Sequence, residues 1–212
     1  MRVLVVTAVP VERDAVTRAC PAGFDVLAGG VGPAAAAAAT AAALASTPYD
    51  LVVSAGIGGG FQPVAPVGGL VVASRIVAAD LGADTPDGYL DVEALGFGRS
   101  AHLPPQWLGR AIADATGATY GPVLTVSTVT GTAARAAELT ARHPGAAAEA
   151  MEGFGVAEAA AQRGVPVVEI RAVSNAVGPR DRSAWRIGDA LGALTDAFGK
   201  LPPVLESWNG HD

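Results

Sequence analysis

The sequence between residues 149 and 185 constrains the fold more than any other part of the chain. An alanine-rich segment predicts a helix that begins just after Glu152, and residues 167–173 (VVEIRAV) predict a buried strand because they are apolar and rich in β-branched side chains. Asn175 follows that strand directly. In open α/β sheets, ligands bind beyond the carboxyl ends of the strands. The pattern therefore predicts a site in which a carboxylate and a side-chain amide meet.

The rest of the chain repeats this alternation of buried strands and helices without an internal repeat or a linker. A length of 212 residues is enough for one sizeable core, so we predict a single domain spanning residues 1–212. Half of the residues are apolar and only 16% are charged, which fits an α/β domain with a buried sheet or an oligomer that hides part of its surface. Further strands are predicted at residues 2–7, 24–28, 51–55 and 120–128.

Charge and cysteine content exclude several classes of function. The net charge of −6 and the pI near 5 argue against a protein that binds a nucleic-acid backbone. Cys20 is the single cysteine, which excludes an internal disulfide and suits a reducing cytoplasm. The uncharged runs 26–49 and 51–74 are too rich in alanine, glycine and proline for membrane spans, and the chain opens without a signal-peptide pattern. We therefore expect a soluble cytoplasmic protein that binds neither nucleic acid nor membrane.

Metal and serine-hydrolase chemistry have no support in the sequence. His102, His143 and His211 are scattered and match no ligand spacing, and no Gly-x-Ser-x-Gly motif is present. The glycine-rich residues 56–60 follow a predicted strand, and we interpret them as a loop. They lack the features of a dinucleotide-binding or P-loop motif, because no helical pattern and no Gly-Lys-Ser/Thr ending follow. We interpret the glycine turn at residues 29–32 as a packing feature of the following alanine-rich helix, without a chemical role.

Met151-Glu152, the helix after them and the strand ending in residues 171–175 (RAVSN) resemble the superfamily of purine nucleoside phosphorylases and nucleosidases. The resemblance is greatest to the methylthioadenosine/S-adenosylhomocysteine nucleosidases and the futalosine hydrolases, and it covers nearly the whole chain in order. It implies a three-layer α/β/α sandwich around a mixed central sheet. It also implies cleavage of an N-ribosidic bond without cofactor or metal, in a homo-oligomer.

The resemblance assigns a role to two carboxylates. Glu12 matches the glutamate that activates water in the nucleosidases, although a glutamate in the first turn of a helix can simply complement the helix dipole. Glu152 would accept hydrogen bonds from the ribose hydroxyls and favour the cationic sugar of the transition state; the alternative is a carboxylate satisfied by backbone donors at a helix start. Met151 would pack on the ribose, and Ile57 would approach it from the glycine-rich segment.

The purine would lie against Val129, Thr130 and Asn175 according to the same resemblance; a strand end followed by a threonine helix cap is the plainer interpretation of residues 129–132. Adenine-specific nucleosidases carry an aspartate where this chain has Asn175. An amide NH2 can donate to both N7 and O6 of a 6-oxopurine, whereas an ionised aspartate faces O6 unfavourably. Asn175 therefore predicts hypoxanthine or guanine as the base, unless it only caps the turn after its strand.

Residues 178–185 (GPRDRSAW) resemble a segment of the futalosine hydrolases, and Trp185 matches an aromatic residue that closes over the 5′ group in the nucleosidases. Futalosine carries an aryl carboxylate on that side. Trp185 could stack on the ring, and Arg180 or Arg182 could bind the carboxylate. The alternative is a Ser183 helix cap with pairing between the arginines and the neighbouring aspartate.

Together these features predict hydrolysis of futalosine to hypoxanthine and dehypoxanthine futalosine, a step of menaquinone biosynthesis according to the resemblance. No arginine lies between Asp50 and Ser74, which favours water over phosphate as the nucleophile, although Arg13 is near in sequence. The alternatives are a purine nucleoside phosphorylase, an adenine-type nucleosidase and a nucleoside-binding domain without catalysis.

Overall fold

The structure is a computed structural model that describes residues 1–208. Within these residues the strands are, in chain order, β1 (Val3–Thr7), β2 (Phe24–Ala28), β3 (Leu51–Gly60), β4 (Leu70–Ala78), β5 (Gly82–Thr85), β6 (Gly88–Asp91), β7 (Ala101–His102), β8 (Thr119–Thr125), β9 (Ala148–Ala150) and β10 (Val167–Ala176). The α-helices are α1 (Pro10–Thr17), α2 (Pro33–Ser46), α3 (Gln106–Thr116), α4 (Ala133–Arg142), α5 (Gly153–Ala161), α6 (Ile187–Gly199) and α7 (Leu201–Ser207), and a short 3-10 helix lies at Arg182–Ala184.

The central sheet is mixed, as the sequence predicts. Strand β10 lies parallel to β3 and antiparallel to β4, and β1 joins the other edge of β3 and pairs in turn with β2. Strand β8 pairs with β4 and β9, and β9 returns to β3. Five strands, β3, β10, β4, β8 and β9, thus form a closed circuit, while β1 and β2 extend from it as an open sheet. The closure brings the end of β3 between β9 and β10.

Helices cover both faces of the sheet, which confirms an α/β fold with a mixed central sheet. Alternate residues of β1 point to opposite faces: Leu4 and Val6 join a core with α2 and α5, and Val3 and Val5 join a core with α1, α3, α6 and α7. A sheet buried on both faces explains why its strands read as nearly continuous apolar runs. No helix within residues 1–208 has both the length and the apolar character that crossing a membrane requires.

Three segments differ from the sequence-based expectation. The glycines at residues 56–60 are not a loop, because β3 continues through them and pairs with β10 and β9. Strand β10 also extends past residue 173, so that Asn175 lies inside the strand beside Gly59. In both places the residues have a low intrinsic preference for strand, but backbone hydrogen bonds to the neighbouring strands stabilise that conformation. Residues 80–100, after β4, are polar and rich in turn residues, which indicates a surface excursion, yet they contain the hairpin β5–β6.

Candidate active site

Glu12 lies in the first turn of α1 with only 3% of its surface exposed. Its Oε2 accepts hydrogen bonds from the backbone N–H groups of Ala8 and Val9, at 3.0 and 3.3 Å. Its Oε1 accepts from the N–H of Ile57 on β3, at 2.9 Å. One carboxylate oxygen therefore binds amides at the start of α1, as expected of a glutamate in the first turn of a helix. The other oxygen binds an amide of β3. The two roles are compatible, and three amide donors fix the carboxylate in one position.

Arg171 occupies the middle of β10 and is completely buried. Its guanidinium donates through Nε to Glu169 at 2.8 Å, through Nη1 to Glu152 at 3.1 Å and through Nη2 to the hydroxyl of Ser54 at 3.1 Å. Burial alone would lower the pKa of Arg171, but the neighbouring carboxylates of Glu169, Glu152 and Glu12 outweigh burial and raise it. The guanidinium is therefore a permanent cation at the centre of the site.

Gly56 separates Glu12 from Arg171. A Cβ at this position would lie 2.8 Å from Oε1 of Glu12 and 2.8 Å from Nη1 of Arg171. Both distances are shorter than carbon makes with polar atoms in ordinary contact. The catalytic candidate and the central cation therefore approach each other only because β3 has no side chain here.

Glu152 is 5% exposed and immediately precedes α5. Its Oε2 accepts from Arg171, and its Oε1 accepts from the N–H of Gly32 at 3.2 Å. The carboxylate is thus held by a backbone donor at the start of α2 and by a buried guanidinium, and neither belongs to its own helix. The glycine turn before α2, which we interpreted as a packing feature, also supplies one of these donors.

A further carboxylate, that of Glu149 on β9, holds the segment predicted to meet the base. Its Oε1 accepts from the N–H of Thr130 at 2.8 Å, and its Oε2 accepts a short hydrogen bond from the Thr130 hydroxyl. Burial raises the pKa of Glu149, and the two bonds from Thr130 act against that rise. Thr130 is 6% exposed, whereas Val129 beside it is 44% exposed.

Asn175 has a fixed amide orientation. Its Oδ1 accepts from the hydroxyl of Ser174 at 2.8 Å, and its Nδ2 donates to the carbonyl of Ala176 at 3.0 Å. An amide nitrogen carries two hydrogens. One N–H of Asn175 is therefore engaged by the backbone, and the second remains available to a ligand.

A cavity of about 170 Å3 brings the predicted base-binding and 5′-group residues together. Its wall includes Val129, Thr130, Asn175, Arg180 and Trp185. Arg182 does not line it. A larger groove of about 1100 Å3 lies beside Val167, at the other end of β10, and contains none of the predicted site residues. The smaller cavity is the one that matches the carboxyl end of the strands, where an α/β fold binds its ligand.

Trp185 is half-buried, and two arginines flank it. The guanidinium carbons of Arg180 and Arg182 lie 5.7 and 5.9 Å from the centre of the Trp185 ring, within the range of a cation–π contact. The short helix that begins at Arg182 is capped by Asp181, which accepts from the N–H and hydroxyl of Ser183. Within residues 1–208 neither arginine forms an ion pair with Asp181, so the alternative of internal Arg–Asp pairing does not hold.

The predicted residues thus fall into two groups beside β3 and β10. Glu12, Ile57 and Glu152 surround Arg171 near the middle of β3 and β10, and the cavity residues follow at the strand ends. Asn175 joins the groups, because it pairs with Gly59 only a few residues beyond the Arg171–Gly56 pair. Met151 is half-buried directly before Glu152. His102 instead bonds Glu158 at 2.8 Å, and His211 lies outside the described residues.

Sequence reasoning gave no role to Glu169, Arg171, Ser54 or Glu149. The signal for the first two was present, because Glu169 and Arg171 are spaced by two in an otherwise apolar strand. Residues at that spacing share one face, and opposite charges on a buried face must pair. No comparable signal marks Ser54 and Glu149, whose partners are distant in sequence.

Comparison of the sequence with known proteins identifies its family. The sequence model of the Phosphorylase superfamily matches residues 25–201. A futalosine hydrolase of Streptomyces coelicolor is 67% identical, with 100% of both chains covered. A futalosine hydrolase of Acidothermus cellulolyticus is 47% identical over 93% of this chain and 89% of that one.

Solved structures agree with the fold. The 5′-methylthioadenosine/S-adenosylhomocysteine nucleosidase from Helicobacter pylori, crystallised with butyl-thio-DADMe-Immucillin-A, superimposes with a TM-score of 0.81. The match covers 98% of this chain and 99% of that chain at 14% sequence identity. The two proteins therefore share the arrangement of strands and helices despite little similarity in sequence.

Proposed function

The chain belongs to the Phosphorylase superfamily, among the futalosine hydrolases, and from this premise we infer that it hydrolyses the N-ribosidic bond of futalosine. The products are hypoxanthine and dehypoxanthine futalosine. The observation that carries this inference is the 67% identity to a futalosine hydrolase over the full length of both chains. We further propose that the reaction serves menaquinone biosynthesis in the cytoplasm.

We propose that Glu12 is the general base. Glycosidic cleavage develops positive charge on the ribose while electrons move into the purine, so the reaction needs a nucleophile on one side of the sugar. The buried Glu12 carboxylate, fixed by three amide donors, would take a proton from the attacking water. Glu12 would hold this proton as the new C–O bond forms and the bond to the purine breaks, so the purine would leave as an anion. That anion would take up a proton from solvent while Glu12 releases its own proton to solvent, which gives neutral hypoxanthine and restores the carboxylate.

Water rather than phosphate is the nucleophile that the charges support. A phosphate site needs cations that are available to bind it. Arg13 hydrogen-bonds Asp14 at 2.9 and 2.7 Å on the exposed side of α1, and Arg171 already serves two carboxylates and a hydroxyl. Neither arginine is therefore available to hold an additional dianion.

Glu152 would bind the ribose hydroxyls and stabilise the cationic sugar. Its two fixed donors, Gly32 and Arg171, leave further lone pairs of the carboxylate for the ribose. Met151 precedes it and would cover the face of the ring, and Ile57 would border the ribose from β3. Electrostatic stabilisation of this kind acts on charge that appears only in the transition state, so it raises the rate.

Asn175 would select the base. Its second N–H can donate to O6 or N7 of hypoxanthine, while the carbonyl of Ala176, which can only accept, keeps the amide from turning over. Val129 and Thr130 border the same cavity and would contact the remaining purine edge. A 6-aminopurine offers a donor where O6 would be, and the fixed amide would leave that donor unpaired.

For the 5′ group we propose Trp185 as the stacking surface and Arg180 as the partner of the aryl carboxylate. Arg180 lines the cavity together with Trp185, and Arg182 does not. Arg182 would support the ring from outside the cavity. We also propose a homo-oligomer, in which a second copy of the chain would cover Phe97 and Leu103, which are 82% and 77% exposed.

The decisive experiment incubates the enzyme with futalosine, inosine and methylthioadenosine, each with and without phosphate, and measures free base. We expect hypoxanthine from futalosine at a rate that phosphate does not change. A requirement for phosphate would identify a phosphorylase. Release of adenine from methylthioadenosine would identify an adenine-type nucleosidase, and no release of base from any substrate would identify a binding domain.

Two variants test the roles of single residues. Glu12→Gln should abolish turnover and leave substrate binding largely intact, so full activity would refute the base assignment. Asn175→Asp should shift preference towards 6-aminopurine nucleosides, and an unchanged preference for hypoxanthine would refute the proposed base selection.

A further inference from the structure

Glu169 is the buried acid that the proposed reaction leaves unused. It has no exposed surface and lies two residues before Arg171 on β10. Its Oε1 accepts from Nε of Arg171, while its Oε2 has no hydrogen-bond partner within the described chain. Burial raises the pKa of Glu169, and the charge of Arg171 acts against that rise. A buried carboxylate oxygen without a hydrogen-bond partner lowers the stability of the fold, so we looked for a functional role for Glu169.

The surroundings of Glu169 are shaped to receive its carboxylate. Gly153 is the first residue of α5, and a Cβ there would overlap both oxygens and the carboxyl carbon of Glu169. The missing side chain lets the acid lie against the start of the helix that Glu152 precedes. Glu169 and Glu152 thus approach the same helix start, one from the strand and one from the chain before the helix.

One guanidinium joins these two acids. Arg171 donates to Glu169 through Nε and to Glu152 through Nη1, and its third contact is the neutral hydroxyl of Ser54. The pair with Glu169 is the shorter of the two, at 2.8 Å against 3.1 Å. Both pairs are shielded from solvent, so their charges are screened weakly.

We propose that Glu169 is a positioning residue for the hydrolysis, acting through Arg171 to orient Glu152 and to preserve its negative charge for the ribose. This inference rests on the proposed function, because it assigns Glu152 to the sugar. Without Glu169, the cation would be balanced mainly by Glu152, whose ability to favour a cationic ribose would fall. With Glu169 present, the guanidinium is shared, and Glu152 keeps net negative charge while Arg171 holds its geometry.

The test compares Glu169→Gln with Glu169→Asp. Glutamine keeps the size and can still accept from Nε of Arg171, but it removes the charge. Aspartate keeps the charge with a shorter and poorer fit. We expect Glu169→Gln to lower kcat about 10-fold, within the range that coupled groups of one network show, while KM changes less than about 3-fold. Glu169→Asp should retain more activity than Glu169→Gln.

A binding measurement separates charge from shape. An analogue with a protonated nitrogen in place of the ribose ring oxygen imitates the cationic transition state, and the parent nucleoside is neutral. We expect Glu169→Gln to lose about 10-fold in affinity for the cationic analogue relative to a neutral nucleoside, through the same coupling. If Glu169 had only a structural role, Glu169→Gln would lose affinity for both ligands by the same factor.

Glu158→Gln is the matched control, because Glu158 pairs with His102 on the outer part of α5 and takes no part in the site. Its kcat and affinity ratio should equal those of the parent enzyme. Better activity in Glu169→Gln than in Glu169→Asp, an unchanged affinity ratio, or failure of Glu169→Gln to fold would each overturn the proposal. The comparison uses whichever nucleoside the parent cleaves, so failure of the futalosine assignment appears in the parent and failure of this inference appears in the variants.

Discussion

Replacement of Gly56 by alanine isolates the spacing between Glu12 and Arg171. The backbone at Gly56 does not have a positive φ, so alanine is tolerated by the strand itself. The new Cβ would lie 2.8 Å from a Glu12 oxygen and 2.8 Å from an Arg171 nitrogen, whereas ordinary contact begins near 3.4 Å. Each partner must therefore retreat by about 0.6 Å, the difference between those two distances.

The retreat should cost the reaction more than the fold. A displacement of about 1 Å at a reacting group can lower the rate about 100-fold, so we expect kcat to fall about 10- to 100-fold. Overpacking a buried site typically costs about 1–3 kcal/mol. For a chain of this size that corresponds to a decrease in Tm of about 2–12 °C.

The assay measures initial rates of base release at 25 °C, well below the expected Tm, together with thermal unfolding followed by circular dichroism. Gly192→Ala is the control, because Gly192 is exposed on α6 and a Cβ there would meet nothing within 4 Å. That variant should keep full activity and gain about 0.5–1 kcal/mol of stability from the better helix propensity of alanine. A folded Gly56→Ala enzyme with kcat within twofold of the parent would refute the argument that Glu12 and Arg171 must hold these positions.

Three further predictions concern groups around the site and in the core. Burial raises the pKa of the Cys20 thiol to about 11, so at pH 8 only about a thousandth of the thiol is thiolate. Iodoacetamide should therefore label the folded protein slowly and the unfolded protein fast, as followed by mass spectrometry. Equal labelling rates would contradict this prediction. Burial, with the charge of Arg142 adding to it, lowers the pKa of His143 below its ordinary 6.5, so its neutral form favours the fold above that pH and stability is lost as pH falls. His143→Gln should therefore flatten the decline of Tm between about pH 7 and pH 5, and an unchanged slope would argue against this histidine as the cause. Thr130→Val removes the hydroxyl that donates a hydrogen bond to Glu149. It should lower the free energy of unfolding in urea by about 1–3 kcal/mol and raise KM. No change in either quantity would mean that the bond between Glu149 and the predicted base-binding segment is dispensable.

The fold class was predictable because its determinants are local. Residues 167–173 form part of β10 as their apolar, β-branched pattern indicates, and Pro10 marks the start of α1. The mixed sheet was inferred from a resemblance and is confirmed by the pairing of β10 with β3 and β4. The closed circuit of strands was not predictable, since it depends on β9, which has only three residues and no pattern of its own.

The extent of β3 shows where local reasoning fails. Glycine weakens a strand in isolation, and residues 56–60 contain four glycines around Ile57. In the fold those residues are strand because β9 and β10 supply their hydrogen bonds, and they are glycine because side chains or backbone carbonyls lie too close to leave room for a Cβ. Tertiary contacts explain both the strand conformation and the glycines, and the amino-acid sequence alone does not reveal those contacts.

The site itself could be predicted only in part. Glu12, Glu152 and Asn175 came from motifs, but the cation that connects the two glutamates was recognised only as part of the motif, without a role. That cation changes what the motif means. On the proposed assignment, Glu12 and Glu152 would repel each other beside one sugar, and the charge of Arg171 near both of them makes their coexistence possible. A third acid, Glu169, shares the same guanidinium, so the acids outnumber the cation around the proposed position of the ribose. An excess of negative charge stabilises a sugar that becomes cationic and does nothing for a neutral one, which is the physical condition for cleaving an N-ribosidic bond through an oxocarbenium-like state.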